Sequence, residues 1–209
     1  MPDEVRHPRF ARLYARFAPM EDRAGADAYR RELVAGLRGR VLEVGAGTGL
    51  SFRHYPATVT ELLAVEPEPT MREHAAAAAR EATVAVRLVD GTADALPAED
   101  ASVDAAVVSQ VLCSVPEQAR ALAELRRVLR PGGELRFYEH VVSPHAGVRA
   151  LQHALDATVW PRMMGGCRLT RATARAMEEA GFAVRDLRHV RVMISPATPH
   201  ILGVATAPA

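Results

Sequence analysis

The sequence predicts an α/β fold built on a doubly wound, mainly parallel sheet, and three observations carry that prediction. Short β-rich apolar runs alternate with longer helical ones, the pattern of strand–helix–strand units. Residues 103–108 are rich in Val and Ala and apolar on both faces, as in a strand covered by helices on both sides. The first strand-like run, Val41-Leu42-Glu43-Val44, ends in Gly45-Ala46-Gly47-Thr48-Gly49. Such a turn lets a ligand approach the backbone, and the next helix offers it free N–H groups. At 209 residues, 49% hydrophobic and 24% charged, the chain fits one globular domain with small additions.

The elements follow in order. Phe10, Leu13, Tyr14 and Phe17 recur at i, i+3, i+4 and i+7 and predict an amphipathic helix that Pro19 ends. A charged helix over about residues 24–37 closes near Gly39. Residues 1–38 therefore read as N-terminal helices, a lid or cap on a domain spanning 39–209. Strands are expected at 41–44, 62–65, 84–89 and 103–108, with a helix over 70–80 carrying the run Ala75 to Ala79. Pro116 opens a helix reaching Leu129, and Pro131-Gly132-Gly133 turns the chain into a strand over 134–142. A helix over 144–158, an irregular stretch over 160–169 and a helix N-capped by Thr170 and closed by Gly181 follow. Strands near 182–189 and 200–205 end the chain.

Several function classes drop out on composition. The net charge is +1 and aromatics are 5%, so neither a nucleic-acid partner nor an anionic membrane surface is expected. Every basic residue other than His is Arg; with no Lys, a catalytic lysine or Schiff base is excluded. The missing Lys and Asn and the heavy use of Ala read as codon bias of a GC-rich bacterial genome. The two cysteines, Cys113 and Cys167, suit a reducing cytoplasm and a packing role. With no C-x-x-C and no H-E-x-x-H, no metal site is expected. The Arg-, Asp- and Glu-rich start lacks the apolar core of a signal peptide, and no run of membrane-spanning length exists, so a cytoplasmic location is expected.

In a doubly wound sheet the ligand sits beyond the carboxyl ends of the strands, which singles out Gly45 to Gly49, Glu66, Gly91 to Ala93, Ser109 to Gln110, and Glu139 to His140. The spacing is G-x-G-x-G. The dinucleotide fingerprint would need Gly where Leu50 stands, and no phosphate-cradling G-x-x-x-x-G-K-[ST] occurs. The turn suits a nucleoside carrying an amino acid. Glu66, 17 residues past Gly49, can accept from both ribose hydroxyls. A nicotinamide-dependent reductase and a non-catalytic nucleoside-binding module are the alternatives from other classes. The early Gly49 and residues 91–97 speak against the first.

These motifs resemble those of the class I S-adenosylmethionine-dependent methyltransferases. Residues 41–49 match the family's first motif, Glu66 its ribose-binding acid, and Gly91-Thr92-Ala93-Asp94-Ala95-Leu96-Pro97 its G-D-A-x-x-L-P, with Thr92 replacing the usual Asp. Ser102-Val103-Asp104-Ala105 and Leu129-Arg130-Pro131-Gly132-Gly133 resemble later family segments. Three further stretches, Val111-Leu112-Cys113-Ser114-Val115, Tyr138-Glu139-His140-Val141 and Gly166-Cys167-Arg168-Leu169-Thr170-Arg171, are similar to the branch containing animal alkyl-thiol S-methyltransferases. Animal members of that branch carry an N-terminal membrane anchor; the charged helix here implies a soluble relative.

The resemblance implies a Rossmann-like seven-stranded sheet with its last strand antiparallel. It implies S-adenosyl-L-methionine as methyl donor and S-adenosyl-L-homocysteine as product. The donor site is expected to use Tyr14, Glu43, Gly45, Ala46, Gly47, Gly49, Glu66, Pro67, Met71, Thr92, Ala93 and Gln110. His140 is the candidate general base, its ordinary pKa lying near neutrality, with Glu139 the competing candidate. Phe17, Trp160, Met163 and Met164 are the candidate walls of an apolar acceptor pocket. The acceptor is expected to be a small apolar molecule, with a thiol favoured over oxygen and nitrogen acceptors, and the protein a monomer or homodimer.

Overall fold

The computed structural model describes residues 7–190 and 199–208; the first six residues of the expected cap lie outside it. Seven strands form one sheet: β1 (Gly39–Val44), β2 (Val59–Val65), β3 (Val86–Val89), β4 (Val103–Ser109), β5 (Leu129–His140), β6 (Ala183–Val190) and β7 (His200–Thr206). Their order is β3-β2-β1-β4-β5-β7-β6. The first five are mutually parallel, while β7 runs antiparallel to both β5 and β6. The order reverses between β1 and β4, and that switch point opens the crevice in which ligands of such sheets bind.

Helices α1 (Pro8–Glu21), α2 (Asp27–Val34), α3 (Pro69–Glu81), α4 (Gln118–Val128), α5 (Ala146–Ala157), α6 (Trp160–Met163) and α7 (Thr173–Glu179) accompany the sheet. Alternation along the strands divides the core in two. Leu42, Val44, Ala106, Val108, Leu135 and Phe137 face one side with Leu122 and Leu125 of α4 and Met177 of α7. Val41, Leu62, Ala64, Val107 and Tyr138 face the other, with Leu33 and Val34 of α2. Each fully buried side chain of this size contributes about 1.5–3 kcal/mol. Among the described residues no helix is long and apolar enough to cross a membrane.

Four local expectations are corrected. Pro19 lies inside α1 rather than ending it, and the chain continues helically through a π-helical turn over Asp22–Ala26 into α2. Pro19 forfeits the single backbone bond its missing N–H would make, the chain stays helical past it, and Gly25 takes the non-helical step further on at φ 113°. Arg30 pins the turn by pairing with Asp22 and Glu21. Pro131-Gly132-Gly133 falls within β5, where the β4–β5 register shifts between Val103 and Ala105. Thr170 is no N-cap: α7 starts at Thr173, and Thr170 gives its N–H and hydroxyl to Asp156. The stretch expected to be irregular contains the single turn α6.

Candidate active site

A cavity of about 770 Å³ lies beyond the carboxyl ends of the parallel strands, large within the usual range for small-molecule sites. Glu66 at the end of β2 and His140 at the end of β5 both line it. Three strand spacings separate them in the sheet, roughly 14 Å. Helix α1 contributes Phe10, Tyr14, Phe17 and Glu21 to the wall, and the stretch 160–168 contributes Trp160, Met164 and Cys167.

The half beside β1 and β2 is built from the glycine turn. The N–H groups of Gly45 and Ala46 both reach the Val65 carbonyl, at 2.8 and 3.1 Å, folding the turn over the end of β2. Gly47 has φ 56°, and the nearest atom to a Cβ there would be Tyr14 Cε1 at 4.0 Å. Its open face belongs to the cavity, whereas a Cβ on Gly49 would meet Phe52 at 2.8 Å. Glu66 is aimed by the same turn: Oε2 accepts from Gly47 N–H at 2.8 Å and Oε1 from Glu68 N–H at 2.9 Å. Each oxygen keeps a lone pair, which suits a vicinal pair of hydroxyls. Burial raises the Glu66 pKa, opposed by those N–H groups and by Arg72. Pro67, Met71, Ala93 and Gln110 also line the cavity. A carboxylate held open beside a glycine gap and apolar walls fits a nucleoside with a charged tail.

Glu43, Ala46, Gly49 and Thr92 do not line the cavity. Thr92 closes a small bridge with Ala95. Glu43 is buried under the turn, and its Oε2 lacks a hydrogen-bond partner. Burial pushes its pKa up to about 7, against the hydroxyls of Tyr55 and Ser51 and the Arg30 charge.

The half beside β4 and β5 is assembled differently. The Glu139 carboxylate is wholly buried and accepts three consecutive backbone N–H groups, those of Val111 (2.9 Å), Leu112 (3.0 Å) and Cys113 (3.0 Å). Burial pushes its pKa up to about 7 although these three donors pull it down. Glu139 thus fixes the loop after β4 and does not line the cavity. His140 does, with Nδ1 at 3.7 Å from Cys113 Sγ and 3.5 Å from Cys167 Sγ. The two sulfurs are 3.7 Å apart. The hydrogen bond between the two sulfurs and the pairing with His140 hold Cys167 well below the usual thiol range, against its burial. Cys113 is pushed up by that hydrogen bond and by burial. Burial lowers the His140 pKa, but the Cys167 hydrogen bond and charge outweigh it, so the net shift is upward.

Local backbone brings Cys167 there. Gly165 and Gly166 take φ 58° and 88°, and a Cβ on Gly165 would meet Phe10 of α1 at 2.6 Å. Arg168 N–H then bonds the Cys113 carbonyl at 2.9 Å, and Asp156 holds Leu169 N–H at 2.8 Å. Of the expected acceptor walls, Phe17, Trp160 and Met164 line the cavity, while Met163 is 60% exposed on the outer face of its turn.

Sequence reasoning did not find His200. It opens β7 opposite His140, its ring 4.1 Å from that imidazole and stacked on Tyr138 at 4.8 Å. Its Nε2 is 3.2 Å from the Gln110 amide. The signal was available: in an antiparallel last strand the first residue, not the last, reaches the ligand side. The cysteines, read as packing, are buried as expected, and they meet a histidine. With His140 they form a cluster whose ligand-type atoms lie within 4.8 Å of one another.

Comparison with known proteins agrees with this geometry. Residues 42–137 match a methyltransferase domain family. The chain is 34% identical over 170 residues to the Homo sapiens thiol S-methyltransferase TMT1A, covering 79% of this chain and 69% of that protein. It is 31% identical over 209 residues to the Homo sapiens thiol S-methyltransferase TMT1B, covering 94% and 85%. Among solved structures, geranyl diphosphate methyltransferase in complex with S-adenosylmethionine shares the fold at a TM-score of 0.67 and 14% identity, over 88% of this chain and 85% of that one. With the glycine turn, the aimed Glu66 and the seven-stranded sheet, these likenesses show that the chain belongs to the class I S-adenosylmethionine-dependent methyltransferases and resembles their thiol S-methyltransferase branch.

Proposed function

We propose that this methyltransferase transfers the methyl group to the sulfur of a small, apolar thiol. S-adenosylmethionine supplies a methyl group already activated by its sulfonium charge. The protein's own work is to bind, align and dry the reactants, and alignment alone supplies several kcal/mol. Glu66 takes the ribose hydroxyls, Gly47 leaves room at the turn, and Tyr14, Pro67, Met71, Ala93 and Gln110 complete the donor site. Glu43 supports the turn from below. Helix α1 is the cap: it carries Phe10 and Phe17 over the cavity and excludes water. His140 is the catalytic residue of the acceptor half; Glu139 is a positioning residue, because its oxygens are spent on three N–H groups.

The observation that carries the thiol reading is the one continuous cavity: Glu66 lines one part, and Cys113, His140 and Cys167 line another beside Trp160 and Met164. The likeness to two thiol S-methyltransferases points the same way. The chemistry is consistent, since a thiol ionises near pH 8.5 and an aliphatic alcohol near the value of water, about 15.7. Apolar walls without a strong base therefore serve a thiol and fail an alcohol. The test is a panel of matched thiols, alcohols, phenols and amines with a labelled methyl donor. A small apolar thiol is expected to be fastest; faster transfer to a phenol or amine than to every thiol overturns the reading.

A further inference from the structure

The three stretches that resemble the thiol branch lie far apart in the sequence, yet they deliver two sulfurs and one imidazole nitrogen to a single point. The triangle has edges of 3.7 Å (Cys113 Sγ–Cys167 Sγ), 3.7 Å (Cys113 Sγ–His140 Nδ1) and 3.5 Å (Cys167 Sγ–His140 Nδ1). Zinc bonds thiolate sulfur at about 2.3 Å and imidazole nitrogen at about 2.0–2.1 Å in a tetrahedron. Those lengths require edges of about 3.8 Å between sulfurs and about 3.6 Å between sulfur and nitrogen. The observed triangle agrees with both to roughly 0.1 Å, inside the tolerance asked of a metal site.

We propose that Cys113, His140 and Cys167 are the protein ligands of a zinc ion whose fourth position receives the sulfur of the acceptor. Two thiolates and one imidazole are soft donors that favour zinc over the hard, oxygen-seeking cations. Three protein ligands with one position left for a reactant is the arrangement of catalytic zinc. All three residues line the cavity, so the fourth position opens on the acceptor's space. The surroundings are those of a held site. Glu139 grips the Cys113 N–H at 3.0 Å, and Arg168 N–H grips the Cys113 carbonyl at 2.9 Å. Groups of this kind orient ligands and stabilise a metal-bound thiolate. The buried Trp160 indole N–H of the same segment has no hydrogen-bond partner.

The fourth-position half of the proposal rests on the thiol reading above. In this arrangement His140 serves as a zinc ligand in place of a general base, and a thiol entering the fourth position gives its proton to solvent and binds as thiolate. A sulfur lone pair then forms the new S–CH₃ bond while the bond from carbon to the donor's sulfonium breaks. That electron pair stays with the donor sulfur, leaving neutral S-adenosylhomocysteine. The methylated product is a neutral thioether, a weaker ligand than the thiolate, and leaves.

The experiment uses the full chain, purified reduced, with zinc exchanged for cobalt(II). One metal per chain is expected, with tetrahedral cobalt absorption and a thiolate-to-cobalt charge-transfer band of two-thiolate intensity. Cys113→Ser and Cys167→Ser should each remove one thiolate's share of the band, and His140→Ala should weaken metal binding by about 100-fold. Adding a small apolar thiol with S-adenosylhomocysteine should raise the band to three-thiolate intensity. The unsubstituted chain decides the matter even where a variant fails to fold: absence of the band overturns the zinc site. A band indifferent to a thiol that the enzyme methylates overturns the fourth-position assignment alone. A two-thiolate band in an enzyme that methylates no thiol upholds the metal site and overturns its use on a thiol.

Discussion

The two halves of the cavity rest on two buried carboxylates, and the contrast between them explains the site. Glu139, under the acceptor half, accepts three backbone N–H groups and stands at the centre of a rigid loop. Glu43, under the donor half, leaves Oε2 without a partner, while burial pushes both acids up to about 7. The donor half takes its shape from the alternating glycines 45, 47 and 49 and needs little from the acid below it. The acceptor half joins three distant segments and cannot hold its geometry without one. Both acids carry the cost of burial, but Glu139 sets against it three N–H groups of a loop assembled from afar, whereas Glu43 sits under a turn that local sequence already shapes.

Four substitutions test that contrast, in descending size. Glu139→Ala strands three buried N–H groups, at about 1–3 kcal/mol each. Its stability in urea unfolding should fall by at least 3 kcal/mol, and a loss under 1 kcal/mol would deny the anchor role. Glu43 should behave in the opposite sense. Its folded pKa is about 7, above the ordinary value of about 4.3. As pH rises between those values the unfolded chain ionises first, so stability falls, and the full cost is present above pH 7. Glu43→Gln should be more stable than the parent at pH 8 by up to about 3 kcal/mol, with the gap closing by pH 4. A gap independent of pH would show that Glu43 ionises normally.

The smaller effects lie in the donor site itself. Gly47→Val puts a β-branched residue at φ 56° and fills the space facing Tyr14. Calorimetry should show S-adenosylmethionine affinity reduced at least 100-fold, about 2.8 kcal/mol, with the cobalt band untouched. Normal binding would move the donor away from the turn. Glu66→Ala should cost about tenfold, 1.4 kcal/mol. It should also become indifferent to removal of the ribose 2′- and 3′-hydroxyls. A variant that still discriminates against the dideoxy donor would place those hydroxyls elsewhere.

The same contrast governs what the sequence made legible. The strand–helix alternation, the glycine turn and Glu66 follow from short contiguous patterns, and family likeness added the antiparallel last strand. The acceptor half depends on contacts that only the folded chain makes. Spacing rules look for residues close in sequence, so they pass over the cluster of Cys113, His140 and Cys167, which come from a post-strand loop, a strand end and a glycine kink. Glu139 illustrates another limit: a carboxylate at a strand end reads as chemistry until the loop that claims its oxygens is seen. Pro19 and Thr170 depart from expectation for a simpler reason, since a helix can run on past a proline that costs it one bond and a distant Asp156 outcompetes a local cap.

The glycine kink at 165–166 has a consequence for inheritance. Cys167 is carried into place by two residues whose φ angles suit no ordinary L side chain, one of them with Phe10 pressed where a Cβ would go. A single codon change at either glycine would unseat the third member of the cluster and leave the donor turn, more than a hundred positions upstream, intact. Descendants of such a chain would keep a methyl donor and lose their acceptor preference in one step.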